Sequence, residues 1–131
     1  MASIEDAYLR KAEESLVGAA SELLNRRYNN CVNRGYYARF QAAVAALIRE
    51  GMVPGGDGQW SHSAVQAQFA SLLVNRRKRY PSDLSDTLSR AFSLRQAADY
   101  RYESVTEVQA RRVLRRARAF VAAIQREGGF A

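Results

Sequence analysis

The feature that most constrains this chain is the spacing of its apolar residues, which recur three and four positions apart in successive segments and never alternate in steps of two. An α-helix brings such positions onto one face, whereas a half-buried strand needs period two. The first segment, Ser3 to about Arg27, carries Leu9, Ala12, Leu16, Ala19, Ala20, Leu23 and Leu24, with Ser3 and Asp6 suited to its capped start. After the turn-prone Asn29-Asn30, a second stripe runs Val32, Tyr36, Phe40, Ala43, Leu47 and ends near Glu50, with Arg34, Tyr37 and Gln41 on a neighbouring face. Gly51 is a helix stop, and Gly51 to Gly58 with Pro54 reads as an exposed loop.

A capping box of Ser63 and Gln66 precedes Val65, Phe69, Leu72 and Leu73, predicting a third helix to about Asn75. Pro81, with Ser82 or Asp83 as cap, opens a fourth through Leu84, Leu88, Ala91 and Leu94 to about Asp99. Ser104 with Glu107 predicts the start of a fifth, which carries Val105, Val108, Val113, Leu114, Ala117, Phe120, Val121 and Ile124 and stops before Gly128-Gly129. Short links between long amphipathic helices place neighbours antiparallel. The expected fold is therefore all-α, an antiparallel up-and-down bundle of four to five helices forming a single domain over residues 1–131.

Composition bounds the partners. A net charge of +7 and a pI near 10.1 favour polyanions such as RNA, DNA or anionic lipid. Only Lys11 and Lys78 of the 20 basic residues are lysines, a bias that suits bidentate phosphate contacts but that a GC-rich genome also produces. Cys31 and His62 are each the sole residue of their type, which excludes an intrachain disulfide and a His/Cys zinc cluster, and no cofactor is implied. No stretch approaches the roughly 20 apolar residues of a membrane span, and the N-terminus carries no signal-like segment, so no membrane role and a cytoplasmic location are expected.

The run from Tyr28-Asn29 through Arg34-Gly35-Tyr36-Tyr37-Ala38 to Phe40 and Ala42-Ala43 resembles the signature helix of the prokaryotic HEPN family. Ser61-His62, Phe69, the run Arg95-Gln96-Ala97-Ala98-Asp99-Tyr100, and a last helix with Ala117 and Phe120 extend the resemblance from about Ala12 to Ile124. It implies a helical bundle that commonly dimerises and is often encoded beside a small nucleotidyltransferase as a toxin and antitoxin pair. It also implies, for many members, metal-independent ribonuclease chemistry on an arginine followed four to six residues later by histidine and often x-Tyr. Arg95, Tyr100 and Tyr102 fall on that pattern, with tyrosine in the histidine's place.

Metal-free RNA cleavage needs a base for the ribose 2′-hydroxyl, a cation for the phosphorane and an acid for the leaving oxygen. Arginine supplies only the cation, and a tyrosine hydroxyl, titrating near pH 10, is a poor base. At 100° per residue Arg95, Asp99 and Tyr102 fall within about 40° of one another, while Tyr100 lies about 140° from Arg95. Arg34 and Tyr37, three apart, are positioned to face Arg95 and hold a phosphate, with Asp99 orienting the cation; equally, the tyrosines pack and each arginine pairs with an acid. His62, at a loop-to-helix junction, reads first as a structural or exposed histidine and second as a base that a dimer partner's loop brings to Arg95.

The basic runs Arg76 to Arg79 and Arg111, Arg112, Arg115, Arg116 and Arg118 read as solvated polar faces able to follow a phosphate backbone. Two functional classes stay open beside a purely structural dimer in which the tyrosines pack and the arginines are solvated. One is a toxin-type or regulatory protein paired with a nucleotidyltransferase, with an RNA or nucleotide phosphate site and ribonuclease chemistry. The other is a non-catalytic nucleotide- or partner-binding homodimer, the substrate-holding half of a split nucleotidyltransferase.

Overall fold

In the computed structural model, which describes residues 3–100 and 104–127, the regular structure is entirely helical, as the apolar spacing predicts. Helix α1 (Ile4–Leu24) opens on the expected capping box: Asp6 N–H donates to Ser3 Oγ at 3.0 Å, and Ser3 N–H donates to the Asp6 carboxylate at 3.4 Å. It ends short of Arg27 because Arg26 takes a left-handed φ of 61°, the backbone turn that closes many helices. Helix α2 (Tyr28–Arg49) then starts earlier than expected. Asn29 and Asn30 lie in its first turn, and Asn29 Oδ1 accepts a hydrogen bond from Val105 N–H at 2.9 Å, so the asparagine is a tie between distant segments.

Helix α2 is the axis of the fold, buried on nearly all sides, as a helix with small and apolar residues around most of its circumference must be. Helix α1 packs antiparallel to it, with Glu5 paired to Arg49 at 3.0 Å at one end and Ser15 hydrogen-bonded to Gln41 at 2.7 Å nearer the other. Helix α4 (Thr87–Tyr100) also runs antiparallel to α2, since Asn33 meets Asp99 and Arg39 meets Thr87. Helix α5 (Glu107–Glu127) runs alongside α2 from Tyr28 and Glu107 onward. At Gly35 a Cβ would stand 2.7 Å from Val113 Cγ1, so the valine side chain of α5 packs on the α2 backbone in space that only glycine leaves.

Gly51, with φ 87°, ends α2, and residues 51–61 carry the chain back along it. Helix α3 (His62–Gln68) therefore begins beside Tyr36, in the middle of α2. Its cap is Ser61, whose Oγ accepts from Ala64 N–H at 3.1 Å, rather than the expected Ser63 and Gln66 pair. A π-helical segment, Phe69–Arg76, continues it. With hydrogen bonds five residues apart, positions four and five apart share a face, and the buried set is Phe69, Leu73 and Val74. Pro81 leads into a 3₁₀ turn, Ser82–Leu84, so Ser82 and Asp83 do not cap α4.

The cap of α5 is likewise displaced by two residues from the expected Ser104 and Glu107. Gln109 N–H donates to Thr106 Oγ1 at 3.2 Å and Thr106 N–H to Gln109 Oε1 at 2.9 Å. Val108 is left exposed, because it lies across the helix from the buried Val113, Leu114 and Ala117. The core centres on Leu47, Phe69, Leu88, Phe120 and Ile124, and a smaller cluster of Cys31, Val32, Ala110 and Leu114 fills the α2–α5 seam. Among the described residues no helix is long and apolar enough to cross a membrane.

Candidate functional site

The side of α2 that faces α3 and α4 carries Tyr36, Tyr37 and Phe40, and these rings build a shallow aromatic box. Tyr36 stands edge-on to Tyr37 at 5.4 Å between centroids and to Phe92 of α4 at 5.4 Å. Arg95, one turn beyond Phe92, lays its guanidinium over the rings of Tyr37, Tyr36 and Phe92 at 5.2, 5.7 and 5.9 Å. Arg34 lies over the same Tyr37 at 5.4 Å, so that one ring contacts two guanidinium groups. Cation–π contacts of this kind hold a guanidinium in place without consuming its N–H donors.

Asp99 sits 3.4 Å from Arg95 Nε, the pairing the four-residue spacing predicts. The contact is an ion pair by distance only; Arg95 Nε is buried and has no aligned acceptor among the described residues. The same Asp99 oxygen accepts from Asn33 Nδ2 at 3.3 Å, and Asn33 Oδ1 accepts from Arg34 at 3.1 Å. Arg34, Asn33, Asp99 and Arg95 thus form one polar chain beside Tyr37. Arg95 is mostly buried and Arg34 exposed, so the site has one inner cation and one outer one.

The residue that the sequence placed last is at the centre. His62 belongs to the same chain's box: its ring lies 4.7 Å from Phe40, 5.5 Å from Tyr36 and from Phe92, and 6.2 Å from Tyr37. Its Nδ1 is 2.5 Å from the Tyr36 hydroxyl. Burial, and secondarily the positive charge of Arg95, hold the imidazole pKa below 6.5. Burial pushes the Tyr36 hydroxyl up to about 12, so it is protonated at neutral pH.

Tyr100, on the motif's histidine position, is 81% exposed at the end of α4, turned away from Arg95 as the 140° offset requires. Tyr102 lies outside the described residues. Arg34, Tyr37, Arg95 and Asp99 are brought together, and His62 joins them. The signal for His62 was its first place in a helix; what hid it was the return of residues 51–61, which no local pattern encodes. Among the described residues no group of three or more His, Cys, Asp or Glu side chains has metal-binding spacing.

An all-helical fold with an arginine, a histidine and paired tyrosines on its central helix and flanks makes the chain a small helical-bundle protein with a cationic cluster set against aromatic rings. The chain belongs to the HEPN domain family, whose model matches residues 6–127. A Methanocaldococcus jannaschii protein that carries the name "Putative toxin" is 30% identical over 121 residues, 92% of this chain and 85% of that protein. An Archaeoglobus fulgidus protein named only "UPF0332 protein" is 32% identical over 114 residues, 86% of each.

Proposed function

We propose that this chain is a toxin-type HEPN protein that binds RNA phosphate at Arg95 and cleaves the RNA without a metal ion. The observation that carries the reading is His62 packed into the same aromatic box as Arg95. A cation and an imidazole side by side are the two groups that intramolecular attack by a ribose 2′-hydroxyl needs.

This chemistry requires the tautomer in which Nδ1–H donates to Tyr36 Oη; Nε2 then carries a lone pair and takes the 2′-hydroxyl proton. The 2′-oxygen then bonds to phosphorus while Arg95 and Arg34 stabilise the charge on its equatorial oxygens. The P–O5′ bond breaks, leaving a 2′,3′-cyclic phosphate, and the 5′-oxygen takes a proton from the imidazolium or water. A depressed imidazole pKa keeps the base deprotonated at neutral pH. The toxin reading draws on the name of the Methanocaldococcus relative, and pairing with a small nucleotidyltransferase and homodimerisation draw on the family resemblance.

The test is cleavage of a short RNA by purified protein in the presence of a chelator. Products ending in 2′,3′-cyclic phosphate are expected, with the rate lowered on the order of a hundredfold or more in His62→Gln. No cleavage by the wild type, or cleavage unchanged in His62→Gln, contradicts the reading. A second reading, a non-catalytic phosphate-binding partner protein, is favoured by one observation: the tyrosine in the motif's histidine position points to solvent. It predicts RNA or nucleotide binding lost in Arg95→Ala with no turnover at all.

A further inference from the structure

Arg39 leaves α2 on the other flank of α4 from the aromatic box. On α4, residues 87, 90, 91 and 94 face Arg39 and the clefts beside it, while 92, 95 and 99 face His62, Tyr37 and Asn33. Arg39 is 4% exposed. Its guanidinium meets only backbone carbonyls, donating to Thr87 O at 3.4 Å and Val113 O at 3.2 Å. Its Nε has no hydrogen-bond partner among the described residues.

No carboxylate pairs with Arg39 among the described residues. The neighbouring charge that acts on it is Arg116, another cation, which together with the larger effect of burial brings its pKa down to about 10. It is still positive at neutral pH. A buried cation with unused donors and no counter-ion is an unfavourable arrangement that an anion relieves.

The space for that anion is present. Arg39 lines a cleft of about 660 Å³ between the Tyr80 to Arg90 segment and α5. Arg116 and Arg126 stand on its α5 wall, and Pro81, Leu84 and Ala123 give it an apolar side. Of the charges around it, Asp86 is already paired to Arg90 at 2.7 Å and Arg79 to Glu50 at 2.6 Å, leaving Asp83 and Glu127 as the other acids of the lining. The volume lies in the range of small-molecule sites and far exceeds a bare phosphate.

We propose that this cleft binds a phosphomonoester with a flat, largely apolar body, its phosphate on Arg39 and Arg116 and its body against Pro81, Leu84 and Ala123. The site is separate from the Arg95 box and does not depend on the ribonuclease reading. Arg39 and Arg116 also border the adjoining cleft, and one buried cation with one surface arginine suits a terminal phosphate, whereas a nucleic-acid strand would follow the exposed arginine stripe.

The test is thermal shift and calorimetric titration of the full chain with AMP, ribose 5-phosphate and inorganic phosphate. A saturable rise in Tm with AMP is expected, with AMP binding at least tenfold tighter than ribose 5-phosphate or phosphate. Arg39→Met abolishes the AMP shift while the unliganded Tm holds or rises, since an apolar chain replaces an uncompensated charge. Arg116→Ala, on the surface, weakens AMP at least tenfold, and Arg95→Ala leaves AMP binding unchanged. No saturable AMP shift, a shift that survives Arg116→Ala, equal binding of the three probes, or loss in Arg95→Ala overturns the proposal. If Arg39→Met does not fold, Arg116→Ala decides alone.

Discussion

Arg95 and Arg39 lie on opposite flanks of α4, and the fold accommodates their charges in different ways. Arg95 has three aromatic rings beneath it and Asp99 at 3.4 Å, and it keeps an edge toward solvent. Arg39 is almost fully enclosed, with two carbonyl oxygens and a like charge nearby. The first arrangement is balanced by Asp99, so under the proposed function an incoming phosphate would have to compete with that carboxylate. The second is unbalanced until an anion arrives, which favours an occupant that stays. Burial alone therefore does not define a functional arginine; the identity of what neutralises it does.

Breaking the first side of this contrast gives the largest expected effect. Arg95→Ala removes the fixed cation at the phosphorane, and RNA cleavage should fall by about 10²–10³, the range for loss of one preorganised charge-stabilising group. Arg39→Met should leave cleavage within about twofold, because Arg39 and the aromatic box lie on opposite flanks of α4. Steady-state cleavage rates for the two variants measure this directly.

A change in the shared scaffold should disturb both sides together. In Gly35→Val the new Cβ falls 2.7 Å from Val113 Cγ1, forcing α2 from α5 and displacing the carbonyl of Val113 that Arg39 uses. Denaturant unfolding should show a loss of about 1–3 kcal/mol, as for overpacked cores. Smaller again is Tyr36→Phe, which deletes the hydroxyl at 2.5 Å from His62 Nδ1. It should cost about 1 kcal/mol in unfolding free energy and free the imidazole tautomer, lowering cleavage more than RNA affinity. Smallest is Tyr100→Phe: the side chain is 81% exposed and away from Arg95, so neither cleavage nor stability should move.

Much of the molecule was legible in the sequence because helices report their inward faces locally. Ser3 and Asp6 marked the start of α1, and the four-residue spacing of Arg95 and Asp99 gave their pairing; Tyr100, kept as a candidate on the family pattern, lies on the side of α4 that its angular offset from Arg95 indicated. Caps were read less well. Ser61 and Thr106 took the roles assigned to Ser63 and Ser104: Thr106 with Gln109 forms a second box overlapping Ser104 with Glu107, while Ser61, with Ala64 three residues on, caps by its hydroxyl alone.

That His62 stands beside Arg95 of its own chain, and not of a partner's, was not foreseen for a different reason. Its proximity to Arg95 depends on a loop that reverses the chain over residues 51–61, and loop direction leaves no periodic trace. Arg39 left a trace that charge obscured: it lies seven residues after the buried Val32, on almost the same line of α2, and a helix surrounded by alanines offers no outer face to which it can escape.

Because His62 is the only histidine, its imidazole protons give a single resolved NMR titration in the untagged protein. The central claim is that it shares one site with Arg95. A histidine whose folded pKa is depressed leaves the unfolded chain with more bound protons, so wild-type stability is full above about pH 6.5 and declines as pH falls toward the folded pKa. The titration should show a pKa below 6.5 that rises toward it in Arg95→Ala, where the nearby positive charge is gone. An imidazole that titrates at its ordinary value, or one whose midpoint is indifferent to Arg95→Ala, would contradict the shared site.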